Sequence, residues 1–258
     1  MKSKLFCPDC KSELSQKDSI TICVTCGKQY KMDNEIIIFD TSISENTEKY
    51  WNEVPLSNIR ENYLLDFLPK KIFENALDIG CGEGRATVVI SEISKVVYGL
   101  DSSQHLLRSL SRKDIENSVL INGDAKKLPF PDDYFDLIIS LSVIEHIPFK
   151  DTKYVFMEAE RVLSPGGIFL IRNDAWFYGV LEKLRIRPGM IGVIPDVTHV
   201  NMMTGIKFKN VLEQAGLIVE HEHHFPFYRY PKKFTQLIPL VIQRIFATHS
   251  NFVCRKIN

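Results

Sequence analysis

Two features are scarce in this sequence of 258 residues: long hydrophobic runs and a surplus of charge of one sign. One of the longest apolar stretches, 237–242, is short and is interrupted by Pro239, so no membrane-spanning helix is expected. No positively charged start with a long apolar run opens the chain, which disfavours secretion. Thirty-two Lys and Arg residues balance thirty-two Asp and Glu residues, so the whole chain has no electrostatic attraction to nucleic acid. We expect a cytoplasmic protein.

The cysteines are unevenly distributed. Of six, four lie within the first 26 residues, as the pairs Cys7/Cys10 and Cys23/Cys26. Two such Cys-x-x-Cys pairs, twelve residues apart, can place four thiolates tetrahedrally around one zinc ion. Such a closed site has no position for water, which predicts a structural Zn2+ whose binding is coupled to folding. A redox dithiol pair is the alternative, but such pairs usually stand at a helix start within a βαβ unit.

The pattern of apolar residues divides the chain into three parts. Residues 1–40 form a short β-rich module, 41–70 a linker with a helix over 56–67, and 71–258 an α/β domain. Strands and helices alternate in this last part, which predicts a parallel sheet with helices on both faces. The pattern lapses over 174–206, which we interpret as an insertion over the ligand site. Such sheets bind ligands at the carboxyl ends of their strands.

A glycine-rich turn follows the first strand of the α/β domain. Gly80, Gly82 and Gly84 stand on alternate residues behind Asp78, where backbone can approach a ligand closely beside a helix N-terminus. The dinucleotide fingerprint is not met, because Arg85 stands where it requires a third glycine.

Two acidic residues end the next strands. Asp101 ends the second strand, where a carboxylate can accept hydrogen bonds from both hydroxyls of a ribose. Asp124 follows the third strand and can accept one from an exocyclic adenine amine. Both predict a cofactor that carries adenosine.

Five motifs in order carry a family resemblance. They are Leu77-Asp78-Ile79-Gly80-Cys81-Gly82-Glu83-Gly84, Leu100-Asp101, Gly123-Asp124-Ala125, Phe135-Asp136-Leu137-Ile138 and Leu163-Ser164-Pro165-Gly166-Gly167. With them the chain resembles the class I S-adenosylmethionine-dependent methyltransferases of type 11. The resemblance implies a doubly wound, Rossmann-like sheet of seven strands, the last of them antiparallel, and S-adenosylhomocysteine as product. Residues 1–40 similarly resemble the zinc ribbons that are fused to methyltransferases or partner them.

The resemblance also implies roles for individual residues. Gly80, Gly82 and Gly84 would line the methionine and ribose part of the cofactor, and Asp78 would hold its amino end. Asp101, with Ser102 beside it, would bind the ribose. Asp124 and Ala125 would bind the adenine, while Ser140 and Leu141 would lie beside the sulfonium.

Two histidines are candidates for a catalytic base. An oxygen or nitrogen acceptor has to lose a proton, and an imidazole can take one near neutral pH. His146 follows the fourth strand, near the expected methyl position, and His199 lies in the insertion. The alternative is structural: His146 would cap the strand or pack on the cofactor, and His199 would fix the insertion by a hydrogen bond.

The acceptor is the least determined feature. The preferred interpretation is a small-molecule, glycan or lipid-linked hydroxyl, because 199–217 resembles enzymes acting on glycans and natural products. The basic tail 227–258 could also contact an anionic membrane. An RNA-methylating enzyme with the ribbon as clamp is one alternative, although residues 1–40 hold six Lys against six acidic residues. A non-catalytic module that binds cofactor and a protein partner is the other. The oligomeric state stays open.

Overall fold

The computed structural model describes ten stretches of the chain, interrupted by short and longer gaps. They are 4–17, 20–33, 35–39, 60–174, 180, 186–187, 190–191, 198–225, 239–247 and 249–256. Most of the predicted insertion, the tail segment 226–238 and the start of the predicted helix over 56–67 lie outside the described residues. The rest of that helix forms a 3₁₀ turn, Asn62–Phe67.

Eleven of the described strands form one mixed sheet, and the two shortest pair only with each other. The strands are β1 (Leu14–Lys17), β2 (Ile20–Cys23), β3 (Gln29–Asp33), β4 (Ile36–Ile38), β5 (Phe73–Ile79), β6 (Ser94–Asp101), β7 (Ser118–Asn122), β8 (Phe135–Leu141), β9 (Leu163–Asp174), β10 (Ile186–Arg187), β11 (Met190–Ile191), β12 (Leu217–Phe225) and β13 (His249–Lys256). Their order in the large sheet is β1-β2-β3-β4-β7-β6-β5-β8-β9-β13-β12.

The order of strands reverses beside β5. Strands β6 and β7 follow on one side of it and β8 and β9 on the other, all parallel, while β13 lies antiparallel between β9 and β12. Ile79 pairs with Leu100 of β6 and with Ser140 of β8, so three carboxyl ends meet at one edge. In open α/β sheets this switch point is where ligands bind.

Helices cover the sheet where their apolar faces meet it. They are α1 (Thr87–Ser91), α2 (Gln104–Ser111), α3 (Phe149–Val162), α4 (Gly205–Gln214) and α5 (Leu240–Phe246). In α3 the buried side chains Val155, Phe156, Ala159 and Val162 recur at helical spacing, and they pack into the core of the sheet. Ser103 and Thr204 cap α2 and α4 by accepting hydrogen bonds from backbone N–H groups. None of the helices in the described stretches is long and apolar enough to span a membrane.

The N-terminal module continues the sheet, whereas the sequence predicted a separate unit beside seven strands. Strand β4 pairs in parallel with β7, Ile37 opposite Ile121, and Phe39 N–H donates to the Asn122 carbonyl. Lys11 adds an ion pair of 2.9 Å with Glu158 of α3. The reason is physical: β4 is apolar, and β7 would otherwise end the sheet with unpaired backbone groups.

Candidate active site

The glycine turn after β5 packs tightly against two neighbouring elements. Gly80 has φ +71°, and a Cβ there would lie 2.3 Å from Cγ2 of Val143, in the loop after β8. Gly84 has φ +84°, and a Cβ there would lie 2.2 Å from Cδ1 of Leu110 in α2. Both positions therefore require glycine. At Gly82, with φ +52°, the nearest neighbour stands at 3.8 Å, so the middle of the turn is open to a ligand's close approach.

Two carboxylates lie next to this turn, and Asp101 bonds to it directly. Asp78 is buried in β5 and accepts a hydrogen bond of 2.6 Å from the Thr87 hydroxyl. Burial raises the pKa of Asp78 to about 7. Asp101, at the end of β6, accepts bonds of 2.8 Å from the N–H groups of Gly82 and Ser103. These two bonds fix the orientation of Asp101, the residue predicted to bind the ribose, beside Gly82.

The end of β7 is braced to the end of β6. The Asn122 amide donates to the backbone carbonyls of Asp101, at 3.1 Å, and of Ser102, at 2.7 Å. Asp124 accepts a bond of 2.9 Å from the Lys126 N–H, and the Lys126 ammonium lies 3.5 Å from its other oxygen. The adenine role of Asp124 and Ala125 stays a prediction, as does the role of Ser102.

Ser140 and Leu141 end β8 on the other side of β5. The Ser140 hydroxyl is buried and has no hydrogen-bond partner among the described residues. A buried hydroxyl without a partner is costly, so this group suits a site that a bound ligand completes. The half-buried Leu141 follows it.

The two candidate bases lie side by side just beyond β8. The rings of His146 and His199 are 4.9 Å apart, and Nδ1 of His146 lies 2.8 Å from the Thr198 hydroxyl. The fully buried Glu145 brings a carboxylate to the same place: one ligand atom from each of these three residues lies within 4.8 Å of the others. Sequence reasoning missed Glu145, although it directly precedes His146.

A second group of polar side chains, each half-buried, lies near Glu145. The Arg172 guanidinium donates to the Tyr63 hydroxyl at 2.7 Å and to the Ser142 hydroxyl at 2.9 Å. Burial raises the pKa of Tyr63 to about 12. Burial also raises the pKa of Glu145 far above its usual range, and the Asp174 carboxylate adds to this. No local pattern in the sequence signalled this group.

Comparison with known proteins identifies the α/β part. Residues 77–171, which include the glycine turn, Asp101, Asp124 and β8, match the family model of the methyltransferase domain. These residues form a methyltransferase domain, similar to those of S-adenosylmethionine-dependent enzymes.

Relatives of this methyltransferase domain come from several bacteria. A protein of Mycolicibacterium smegmatis named as an S-adenosylmethionine-dependent methyltransferase is 29% identical over 57% of this chain and 52% of its own length. The 27-O-demethylrifamycin SV methyltransferase of Amycolatopsis mediterranei is 29% identical over 51% of this chain and 52% of its own length. The chain thus spans about half the length of these two relatives. A solved structure from Bacillus halodurans C-125, described as a candidate methyltransferase, has a TM-score of 0.57 and 20% identity. The match covers 76% of this chain and 97% of that structure, which shows a shared fold.

The four cysteines ahead of the methyltransferase domain also converge. Cys7 and Cys23 are buried, Cys10 and Cys26 exposed, and their four sulfurs lie within 4.8 Å of one another. The Sγ atoms of Cys7 and Cys26 are 3.8 Å apart, and those of Cys10 and Cys23 are 3.3 Å apart. Around a tetrahedral zinc with bonds of about 2.3 Å, sulfurs stand about 3.8 Å apart, so this donor set fits the ion.

Proposed function

We propose that this protein transfers a methyl group from S-adenosylmethionine to a hydroxyl oxygen of a small-molecule, glycan or lipid-linked acceptor. One observation supports the proposal: β5, β6 and β8 are neighbours in the sheet, and at their carboxyl ends lie the glycine turn, Asp101 and the turn that carries Glu145 and His146. The predicted cofactor site and side chains that can take up a proton would therefore share one edge of the sheet.

The chain's own residues would bind and align the cofactor. Asp101 would accept hydrogen bonds from the ribose hydroxyls, and Asp78 would face the amino group of the methionine part. The backbone around Gly82 allows close approach, and the Ser140 hydroxyl would gain a partner. When bound, the cofactor supplies a carbon activated by its sulfonium leaving group. Alignment and exclusion of water are then the main tasks left to the protein.

The acceptor would enter beside the two imidazoles. A hydroxyl that attacks the methyl carbon has to lose its proton, and His146 and His199 are the two candidates to accept it. Their proximity supports a joint role in preparing the acceptor.

We also propose that Cys7, Cys10, Cys23 and Cys26 hold a structural zinc ion. The proposal is supported by the fit of the four sulfurs, and by the N–H of Cys26, which donates to Sγ of Cys23 at 3.4 Å. Cysteines that hold zinc have to stay reduced, which agrees with a cytoplasmic location.

A small or lipid-linked acceptor is preferred to RNA. The name of the Amycolatopsis relative specifies a small-molecule acceptor. The consecutive side chains Leu240, Val241 and Ile242 of α5 are exposed, which suits a lipid-linked acceptor or peripheral membrane contact. The balance of charge in residues 1–40 disfavours a ribbon that clamps RNA.

The test is transfer of label from methyl-labelled S-adenosylmethionine in fractionated host extract. We expect label in the small-molecule or lipid fraction, and its loss in an Asp101→Ala variant. Label in RNA would replace this function by that of an RNA-modifying enzyme. Cofactor binding without transfer to any fraction would favour the non-catalytic module.

A further inference from the structure

We propose that Glu145, His146 and His199 bind a divalent transition-metal ion, and that its open coordination positions hold the oxygen of the acceptor. The first part concerns this chain alone. The second rests on the proposed methyl transfer and names the acceptor more closely, as a hydroxyl compound that can ligate a metal.

The carboxylate of Glu145 is the first reason. The residue is fully buried, and neither of its oxygens makes a hydrogen bond of normal geometry to a described residue. A buried carboxylate is stable only when a proton, a cation or several donors compensate its charge. The side chain is moreover placed beside two imidazoles, which are the commonest protein ligands of transition metals.

The spacing of the three side chains is the second reason. Ligand atoms around one ion at about 2.1 Å stand about 3 to 3.5 Å apart. The three here lie within 4.8 Å of one another, so small side-chain rotations suffice to close the set. Two histidines and one carboxylate are typical of catalytic zinc and non-haem iron sites, which keep positions free for water or substrate.

The surroundings hold the ligands in place. The Thr198 hydroxyl contacts Nδ1 of His146 at 2.8 Å, which orients the ring and allows the other nitrogen to face an ion. The backbone N–H groups of Val200 and Asn201 donate to the Glu145 carbonyl at 2.8 and 3.0 Å. Those contacts attach the segment that carries His199 directly to the turn that carries Glu145 and His146.

The charges near the three ligands also favour a cation. Asp174 contributes a second carboxylate beside Glu145. Arg172 is the opposing positive charge, but it is engaged by the Tyr63 hydroxyl at 2.7 Å and by the Glu61 carboxylate at 3.7 Å. A divalent ion bound here would take the place of the proton that otherwise neutralises the buried Glu145.

The position of this ion would link it to methyl transfer. Val143, two residues before Glu145, packs on Gly80 of the cofactor turn. A hydroxyl bound to a metal ion loses its proton more readily, as bound water does. The hydroxyl proton would go to solvent, the oxygen would form its bond to the methyl carbon, and the carbon–sulfur bond would break with its electron pair remaining on sulfur. Neither imidazole then has to act as the base.

Metal binding can be tested without any acceptor. The full chain, with zinc supplied for its cysteines, is titrated with Mn2+ and followed by electron paramagnetic resonance, because Mn2+ prefers nitrogen and oxygen ligands to thiolates. We expect one Mn2+ per chain, and at least about tenfold weaker binding in Glu145→Gln and His199→Ala. The exposed His221, replaced by Ala, is the control that should leave binding unchanged. Unfolding curves confirm that each variant is folded.

Two results would overturn the site. One is the failure of wild type to take up Mn2+ or a second equivalent of zinc. The other is binding that Glu145→Gln and His199→Ala leave unchanged.

Labelled methyl transfer distinguishes this inference from the proposed function. If transfer proceeds equally well in Glu145→Gln and after removal of the metal ion bound by Glu145, His146 and His199, this ion has no role in methyl transfer. The methyltransferase function would then stand, with an imidazole as the base. If wild type with metal neither binds cofactor nor transfers methyl, the proposed function fails, whereas Mn2+ binding is judged by its own titration.

Discussion

Replacing Gly80 by alanine should weaken the fold more than the same change at Gly166. The two glycines have nearly the same backbone, φ +71° and +73°. They differ in their surroundings, because a Cβ at Gly80 meets Cγ2 of Val143 at 2.3 Å and one at Gly166 meets nothing within 4 Å. The pair therefore separates backbone strain from packing.

The magnitudes follow from these two terms. Left-handed backbone costs alanine about 1–2 kcal/mol, offset in part by the reduced entropy of the unfolded chain. The clash with Val143 adds about 1–3 kcal/mol at Gly80 alone. We expect Gly80→Ala to lower the free energy of unfolding by this second amount more than Gly166→Ala does. Val143→Ala in the same chain should restore most of the difference, but not all, because Cβ of Val143 still lies at 3.2 Å.

Urea unfolding measures these free energies in the wild type, the three single variants Gly80→Ala, Gly166→Ala and Val143→Ala, and the Gly80→Ala, Val143→Ala double variant. The double-mutant cycle isolates the contact. S-adenosylhomocysteine titrations report whether the turn still binds cofactor, and we expect affinity to fall in Gly80→Ala and to persist in Gly166→Ala. Equal losses of stability at the two glycines, or no rescue by Val143→Ala, would refute the close packing of the turn on the loop after β8.

Three further outcomes are expected. Burial raises the folded-state pKa of Asp78 to about 7, so its contribution to the free energy of unfolding is full below the unfolded pKa of about 3.9 and is lost as pH rises to about 7. In Asp78→Asn the free energy of unfolding should fall less between these pH values, and the same fall as in wild type would contradict the burial argument. Elemental analysis should find a zinc ion that the Cys7→Ser, Cys23→Ser double variant loses, and native wild type that is free of zinc would contradict a zinc ribbon. Lys11→Met should cost about 1 kcal/mol by removing the ion pair with Glu158, and no loss would mean that the ribbon docks without it.

Helices and strands could be predicted in outline, because apolar residues recur every three to four positions in helices and every second position in strands. The alternation of strands and helices over 71–258 was predicted from the apolar pattern, and the structure has it between β5 and β9. The glycine turn and Asp101 were also identifiable, because both lie next to a strand end whose position is clear.

Long-range pairings could not be predicted in this way. Strand β4 joins β7 across about eighty residues, and nothing in either segment specifies the partner. Arg172 and Tyr63 are 109 positions apart, and each alone is an ordinary residue. Glu145 was adjacent to a predicted site residue, but only its burial and its distance to His199 show why it matters.

The most direct test of the central claim is a calorimetric titration with S-adenosylhomocysteine, with NAD as the control ligand. We predict saturable binding of one S-adenosylhomocysteine per chain, at least tenfold weaker in Asp101→Ala because that change removes the predicted acceptor of two ribose hydrogen bonds, and no binding of NAD. Equal binding of NAD, or affinity unchanged in a folded Asp101→Ala variant, would contradict a methyltransferase cofactor site at this edge of the sheet.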